Sequence, residues 1–365
     1  MSQNESEYGL SPDKKTGQIE PPPVAYRPRQ PKAYNPPIGL IGAGGISEFH
    51  LKAYKAMGLN VVAIANRTLE KAEKRRNEFY PDADVTTDYK ELLRRDDIEV
   101  VDVTPHPDAR VAIVADALEA GKHVLSQKPF AEKLEDGQRL VDLAAEKGLK
   151  LAVNQNGRWA PHFAYMRNAI ADGIIGKVVS VNFSLQWDQT WIAGIPAFES
   201  IKHMVLADFA IHWFDITHTF MRGHRPQSVY AAARAFEGQL YRPPALAGAI
   251  INYESAQVTM SFNAHTTLGE EDTTTVVGTK GTLRSTGPGL NDQPRMQLFL
   301  NEGRAVVDLD GCWFDSGFIG TMGELLCAIE EKREPDNSAA DVMQSLALCF
   351  HALKSADEGK VVSLA

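Results

Sequence analysis

The sequence predicts an α/β protein with two unlike parts: a doubly wound (Rossmann) parallel sheet, then an α+β domain with a large open, mainly antiparallel sheet. Between Ile38 and Asn156, short apolar runs alternate with segments of helical periodicity, the pattern of βαβ units. After Gly157, apolar residues alternate with uncharged polar ones, as in Val178–Trp187 and Ala256–Phe262, which indicates half-buried antiparallel strands. A length of 365 residues favours two domains over one.

The composition divides the chain into three expected parts. Residues 1–36 lack hydrophobic periodicity, and Pro21–Pro37 holds seven prolines, so this tail is expected to be extended or disordered. Residues 37–156 form the expected dinucleotide-binding domain. Residues 157–365 form the expected substrate and oligomerisation domain, closed by C-terminal helices.

Charge and cysteine content exclude several classes of partner. A net charge of −9 argues against nucleic acid or an anionic membrane, and no apolar run approaches the ~20 residues that span a bilayer. The polar start of the chain has no apolar core of a secretory signal, so a cytoplasmic protein is expected. Three cysteines (Cys312, Cys327 and Cys349) have neither metal-ligand nor disulfide spacing, and no metal is expected.

A glycine-rich turn follows the first predicted strand, Ile38–Ile41, and precedes a predicted helix. Glycine permits the tight turn and a close backbone approach, and the helix start offers free N–H groups to a pyrophosphate. The third glycine of the usual pattern is replaced by Ser47, so the motif alone is weak and a plain strand-to-helix turn is the alternative. The expected dinucleotide contacts here are Gly42, Gly44, Gly45 and Ile46.

The second predicted strand ends at Asn66 and Arg67. Asn66 lies 22 residues after Gly44. An acidic residue near this position binds the adenosine 2′-hydroxyl of NAD, whereas an arginine can hold the 2′-phosphate of NADP. The pair therefore favours NADP slightly over NAD. The alternative is that Arg67 stacks on the adenine or faces solvent.

Lys128 ends another predicted parallel strand, at the sheet edge where a cofactor crevice opens. A buried lysine near a nicotinamide would have a lowered pKa and act as a general base at neutral pH. An isolated Lys-Pro pair is usually a surface turn. The hypothesis that Lys128 is a general base therefore depends on its position at the end of a parallel strand.

The stretch Asp208–Phe220 predicts a helix whose polar face carries Asp208, His212, Asp215 and Thr219. Asp208 and His212, aimed at a pocket, would bind substrate hydroxyls and relay a proton. A metal site with Asp208 and His212 as ligands is less favoured, because no third ligand lies at suitable spacing. A purely structural role for this helix remains an alternative. A third stretch, Asn156–Pro161, lies at the expected domain crossover, where Asn156, Arg158 and Trp159 line the substrate cleft or, equally, pack between domains.

These motifs together resemble the Gfo/Idh/MocA family of NAD(P)-dependent dehydrogenases, which act on sugars and cyclitols. The similarity runs from Ile38 to the C-terminus and rests on the glycine turn, Asp208 with His212, and several further blocks. These blocks are Thr104-Pro105, Ala120–Val124, Gln127-Lys128-Pro129, Asn156–Pro161 and the turn Gly278–Gly281. The resemblance implies catalysis by Lys128 assisted by His212, substrate orientation by Asp208, and cofactor contacts at Thr104, Pro105 and Gln127. It also implies an often cis Lys-Pro peptide and dimers or tetramers built on the open sheet.

Three positions depart from the family pattern. Gln127 replaces a glutamate, Arg110 stands near a common histidine, and Ile201–Met204 replaces glycines before the Asp/His helix. The sequence thus predicts an enzyme that moves a hydride between NAD(P) and a carbinol carbon of a sugar, sugar derivative or cyclitol. Two alternatives stay open: a redox-assisted lyase or glycosidase that retains its NAD, and a non-catalytic NAD(P)-sensing regulator.

Overall fold

The computed structural model describes residues 17–364, and its first sheet has six parallel strands. These are β1 (Pro37–Ile41), β2 (Asn60–Ala65), β3 (Asp84–Thr86), β4 (Val100–Val103), β5 (His123–Ser126) and β6 (Leu151–Val153). Their order is β3-β2-β1-β4-β5-β6. The order reverses between β1 and β4, which places a ligand crevice at the carboxyl ends of the strands.

Helices connect these strands and cover both faces of the sheet. They are α1 (Ser47–Ala56), α2 (Leu69–Phe79), α3 (Tyr89–Leu93), α4 (Pro107–Glu119) and α5 (Leu134–Lys147). Every residue of β4 is buried, as expected for a strand with helices on either side. The helix α5 ends at Gly148, whose φ of +66° is a left-handed conformation that glycine adopts without strain.

The second sheet has nine strands in the order β14-β13-β12-β11-β7-β10-β9-β8-β15. All neighbours are antiparallel except β7 and β10, which are parallel. The strands are β7 (Val178–Gln186), β8 (Pro226–Arg234), β9 (Leu246–Tyr253), β10 (Gln257–Asn263), β11 (Glu271–Gly278), β12 (Gly281–Gly287), β13 (Arg295–Leu300), β14 (Gly303–Asp308) and β15 (Val362–Ser363). The predicted fold class is therefore confirmed.

One face of this sheet is covered by helices. They are α6 (Pro161–Ala171), α7 (Pro196–Glu199), α8 (Ile211–Phe220) and α10 (Ala339–Glu358). A further long helix, α9 (Trp313–Glu330), packs instead on the parallel sheet, against α1, β5 and β6. Phe183 of β7 stacks on Phe220 of α8, with ring centroids 6.4 Å apart. The alternation predicted for Val178–Trp187 fails at its start, where Val178 is buried and Val179 is exposed, because a register shift at Val277/Gly278 interrupts the pairing there.

The described part of the Pro-rich tail, residues 17–36, lies against the chain's own surface. Ile19 donates its N–H to Arg304 at the end of the second sheet, 3.0 Å away. At the other end, the backbone N–H groups of residues 32–34 donate to the carboxylate of Glu330 at 2.8–3.0 Å. The segment therefore spans both sheets as an extended strap. Residues 1–16 of the expected tail lie outside the described residues.

Two kinds of feature are absent from the described residues. Within residues 17–364, no helix combines the length and apolar character needed to cross a membrane. In the same range, no three His, Cys, Asp or Glu side chains are grouped so that they could hold a metal ion.

Candidate active site

Lys128 and Asp208 meet at the carboxyl edge of the parallel sheet. The Lys128 Nζ donates to the Asp208 carbonyl oxygen at 3.0 Å and lies 3.2 Å from its carboxylate Oδ1. Both side chains retain 20% of their exposure, so the pair is neither sealed nor fully solvated. The Lys128-Pro129 peptide, directly after β5, is cis. This contact joins the end of a parallel strand to the segment that precedes α8.

The segment Val205–Phe209 is a single wide π-helical turn that leads into α8. Its signature is the hydrogen bond from the Ala210 N–H to the Val205 carbonyl, at 2.7 Å. Turns of this kind interrupt regular helices most often at functional sites. The predicted helix is therefore confirmed for residues 211–220, whereas Asp208 lies in the irregular turn before it.

His212, in the first turn of α8, lies near enough to Lys128 for the charge of Lys128 to act on its ring. Burial and the positive charge of Lys128 hold the pKa of His212 well below its usual range. The ring is therefore neutral at physiological pH. Its Nδ1 has no hydrogen-bond partner among the described residues, and its ring meets Trp313 edge-on, with centroids 5.6 Å apart.

The glycine turn after β1 forms an open cradle. Gly42 has a φ of +101°, and a Cβ there would lie 2.5 Å from Thr104 Oγ1, so no larger residue fits without displacement. Gly44 and Gly45 have nothing within 4 Å of the position of an added Cβ. Ser47, in place of the third glycine, is buried, and its hydroxyl donates to the Gly44 carbonyl at 2.6 Å.

Neighbouring strand ends support this cradle. The Thr104 hydroxyl donates to the Gly42 carbonyl at 2.9 Å, and the Asn66 side-chain oxygen accepts from the Ala43 N–H at 3.0 Å. Arg67, next to Asn66, is exposed and forms no ion pair with any residue in the range 17–364. The loop thus presents glycine backbone at the crevice, a feature that fits the pyrophosphate of a dinucleotide, and Arg67 lies exposed after the neighbouring strand β2.

Arg110, noted only as a departure from the family pattern, has a clear structural role. Its side chain is 2% exposed, and its guanidinium donates to the carbonyls of Pro105, Gln127 and Pro129. Burial lowers the pKa of Arg110 to about 10, which leaves it charged at neutral pH. Arg110 therefore ties the loop after β4 to the backbone on both sides of Lys128.

The side chain of Gln127 points into the protein rather than into the crevice. It is 5% exposed, and its oxygen accepts from the Lys128 N–H at 2.6 Å. Its amide nitrogen lies 3.0 Å from Nε2 of His50, a residue of α1 that the sequence analysis did not select. Two signals pointed to this cluster: a histidine within the first turn after Ser47, and Asp102 in the otherwise apolar strand β4.

Arg158 and Trp159 are buried, and their contacts are with helices α8, α9 and α10 rather than with Lys128. Arg158 is fully buried and donates two hydrogen bonds of 2.6 Å to the carboxylate of Asp215, with a further one to Asp341. Trp159 packs against Gly320 of α9. The position of both residues fits the packing alternative and does not support substrate binding.

Two other residues from the predictions also serve as internal supports. Asn156 is buried, and its side-chain oxygen accepts from Trp313 Nε1 at 3.1 Å, which holds a ring that borders His212. Asp215, assigned by spacing to the polar face of Asp208 and His212, is the carboxylate that neutralises Arg158. The helical face is thus divided between the cleft at its start and a structural ion pair further along.

Comparison with known proteins agrees with this geometry. Residues 37–155 match the family model described as "Oxidoreductase family, NAD-binding Rossmann fold" and residues 163–284 match the "GFO/IDH/MocA C-terminal domain". The fold and site thus define a dinucleotide-binding oxidoreductase. The chain belongs to the Gfo/Idh/MocA family of these enzymes, as the resemblance predicted.

Three similar proteins share 21–36% sequence identity with this chain. An uncharacterized oxidoreductase of Schizosaccharomyces pombe is 36% identical over 149 residues, 40% of each chain. The inositol 2-dehydrogenase of Rhizobium meliloti is 25% identical over 346 residues, covering 90% of this chain and 99% of its own. A solved Agrobacterium radiobacter oxidoreductase, in complex with NAD+, L-tartaric acid and magnesium, superposes with a TM-score of 0.82 at 21% identity, covering 90% of this chain and 98% of its own.

Replacing Arg158 with methionine tests the structural assignment of that residue. We expect Arg158→Met to lower the free energy of unfolding by about 3–5 kcal/mol, because it leaves Asp215 buried without its partner. Urea denaturation monitored by tryptophan fluorescence measures the change. Arg94→Met, at an exposed arginine whose nearest carboxylate is 3.8 Å away, is the control and should change stability by less than about 1 kcal/mol. Equal stability of the two variants would contradict the assignment.

Proposed function

We propose that the enzyme transfers a hydride between a nicotinamide dinucleotide and a carbinol carbon of a sugar, sugar derivative or cyclitol. The observation that carries this proposal is the contact of Lys128 with Asp208 at the carboxyl edge of the parallel sheet, with His212 four residues further along the same segment. The glycine cradle that would hold the dinucleotide lies at the same edge of the sheet. The likeness to an inositol 2-dehydrogenase along nearly the whole chain supports the substrate class.

The side chains have separate tasks in this proposal. A nicotinamide bound at the cradle supplies the hydride acceptor or donor. In the direction of oxidation, Lys128 in its amine form takes the proton of the substrate hydroxyl; in reduction, its ammonium returns that proton to the carbonyl oxygen. The carboxylate of Asp208 accepts a hydrogen bond from a neighbouring substrate hydroxyl. His212 is neutral, and its Nδ1 has no hydrogen-bond partner among the described residues, so it is available to form a hydrogen bond with a substrate hydroxyl.

Methionine at position 128 keeps the length of the side chain and removes its amine. We expect Lys128→Met to lower kcat by about 10²–10⁴-fold while dinucleotide affinity stays nearly unchanged, because the amine acts on the reacting oxygen. Turnover is measured on a panel of sugars, inositols and sugar acids, and affinity by cofactor fluorescence titration. Lys354→Met, at an exposed lysine of α10, is the control. Unaltered turnover of Lys128→Met would remove Lys128 from the mechanism.

We also propose that the enzyme accepts NADP with some preference over NAD. Asn66 is neutral and its side-chain oxygen is occupied by the Ala43 N–H, so no carboxylate repels a 2′-phosphate. Arg67 is exposed beside it and is free to form charge-assisted hydrogen bonds with that phosphate.

The ratio of kcat/KM values for the two dinucleotides tests this preference. We expect Arg67→Ala to lower kcat/KM for NADP roughly tenfold or more and to leave the value for NAD nearly unchanged, because only NADP carries the 2′-phosphate. Arg94→Ala, at another exposed arginine, serves as the control. An equal fall with both dinucleotides, or a wild-type enzyme that prefers NAD, would contradict the proposal.

We further propose that the uncovered face of the nine-stranded sheet joins subunits into a dimer or tetramer. Asn182, Ser184, Thr259 and Ser261 on this face are uncharged, so burying them in an interface incurs no cost of desolvating a charge. Ile250 is 41% exposed on the same face.

A charge at Ile250 tests this assembly. We expect Ile250→Glu to shift the protein to monomers in sedimentation velocity, because an unpaired carboxylate would be buried at the interface. Leu69→Glu is the matched control, since Leu69 is 39% exposed but lies on α2, far along the chain from the sheet. A wild-type protein that sediments as a monomer would overturn the proposal.

A further inference from the structure

A chain of buried hydrogen bonds leads from the interior of the parallel sheet to the backbone of Lys128. Asp102 Oδ2 lies 2.7 Å from His50 Nδ1 and accepts from the Tyr54 hydroxyl at 2.6 Å. His50 Nε2 lies 3.0 Å from the amide nitrogen of Gln127, and the Gln127 oxygen accepts from the Lys128 N–H at 2.6 Å. His50, Tyr54 and Asp102 have no solvent exposure.

The donors and acceptors in this chain fit only one arrangement of protons. A carboxylate only accepts, so His50 carries its proton on Nδ1 and donates it to Asp102. His50 Nε2 is then an acceptor, which requires the amide nitrogen of Gln127 to face it. The Gln127 oxygen is thereby turned towards the Lys128 N–H. A second donor, the side-chain amide of Asn154, lies 3.3 Å from the same Nε2 and favours the same tautomer.

We propose that Asp102, His50 and Gln127 form a positioning relay that fixes the backbone of Lys128, and with it the reach of its amine to the substrate. This inference rests on the proposed function of Lys128. None of the three side chains contacts the reacting atoms: Asp102 sets the tautomer of His50, His50 sets the orientation of the Gln127 amide, and the amide holds the Lys128 N–H. Arg110 holds the carbonyls on either side of the same peptide, so the backbone is fixed through both its donor and its acceptors.

The relay gives a physical reason for glutamine, rather than glutamate, at position 127 of this chain. The groups that face the His50 ring are Asp102, Tyr54, Gln127, Asn154 and the ring of Phe318. Burial and the Asp102 carboxylate raise the pKa of Tyr54 well above its usual range, so Tyr54 stays a neutral donor. A carboxylate at position 127 has no proton for His50 Nε2, so the ring would have to bind a second proton there.

The tautomer is tested without substrate or cofactor. We expect the ¹⁵N-histidine NMR spectrum of the wild-type protein at neutral pH to show His50 protonated on Nδ1 and unprotonated on Nε2. The His50 signals are identified by their loss in His50→Gln. In Gln127→Glu, we expect both nitrogens of His50 to be protonated. A wild-type His50 protonated on Nε2 would overturn the relay.

Kinetics test the effect on Lys128. We expect His50→Leu to lower kcat by about 10–10²-fold with KM for the dinucleotide nearly unchanged, because a misplaced catalytic group affects the transition state most. His50→Gln, which can both donate to Asp102 and accept from Gln127, should recover most of that loss. His123→Leu is the control: His123 lies on β5 at the end opposite Lys128 and accepts one backbone hydrogen bond of 2.9 Å. If His50→Leu does not fold, Gln127→Leu carries the same expectation.

The outcomes separate this inference from the proposed function. If Lys128→Met retains turnover, both fail, because no catalytic amine exists to be positioned. If Lys128→Met loses turnover while folded His50→Leu keeps the wild-type kcat, only the relay fails. A loss in His50→Leu that His50→Gln does not reduce would also overturn it, since a purely structural cavity explains that result.

Discussion

The candidate site depends on one contact between the end of the parallel sheet and the turn before α8: the amine of Lys128 against the carbonyl and carboxylate of Asp208. An amine at the end of a parallel strand meets an acidic group from another domain only if both backbones are held in place. On the Lys128 side, Arg110 donates to three carbonyls of the surrounding loops. On the Asp208 side, the buried pair of Arg158 and Asp215 anchors α8. Charged groups far from the reacting atoms thus determine where those atoms lie.

The strap adds a third constraint on the relative placement of the sheets. It contacts the end of β14 through Ile19 and the C-terminal part of α9 through Glu330, and then leads directly into β1. Helix α9 also touches the glycine-loop helix, since Phe49 of α1 meets Phe314 of α9 at 4.9 Å between ring centroids. The cradle, the cleft and the strap therefore share α9 as a common support.

The sequence predicted the fold class and drew attention to Lys128 and Asp208, which the structure brings into contact, because each lies in a local pattern. A glycine turn, a Lys-Pro at a strand end and an Asp/His pair four residues apart are visible without knowledge of tertiary contacts. The relay was not predicted, because His50 meets Asp102 and Gln127 only across 52 and 77 residues of chain. Arg158 was ambiguous for the same reason: its carboxylate partners lie in other helices.

The wide turn at Val205–Phe209 determines which mutations this site can accept during evolution. One additional residue in a helical turn rotates everything after it by roughly 100° relative to what comes before, since a regular helix has 3.6 residues per turn. The side chains before the wide turn are therefore offset by one residue from the regular helical spacing of the side chains after it. Loss of one codon between Asp208 and His212, such as that of Phe209, would turn the acid away from the imidazole that follows it, whereas a substitution at the same position would leave their spacing intact. Length, rather than side-chain identity, is the sensitive variable in this segment.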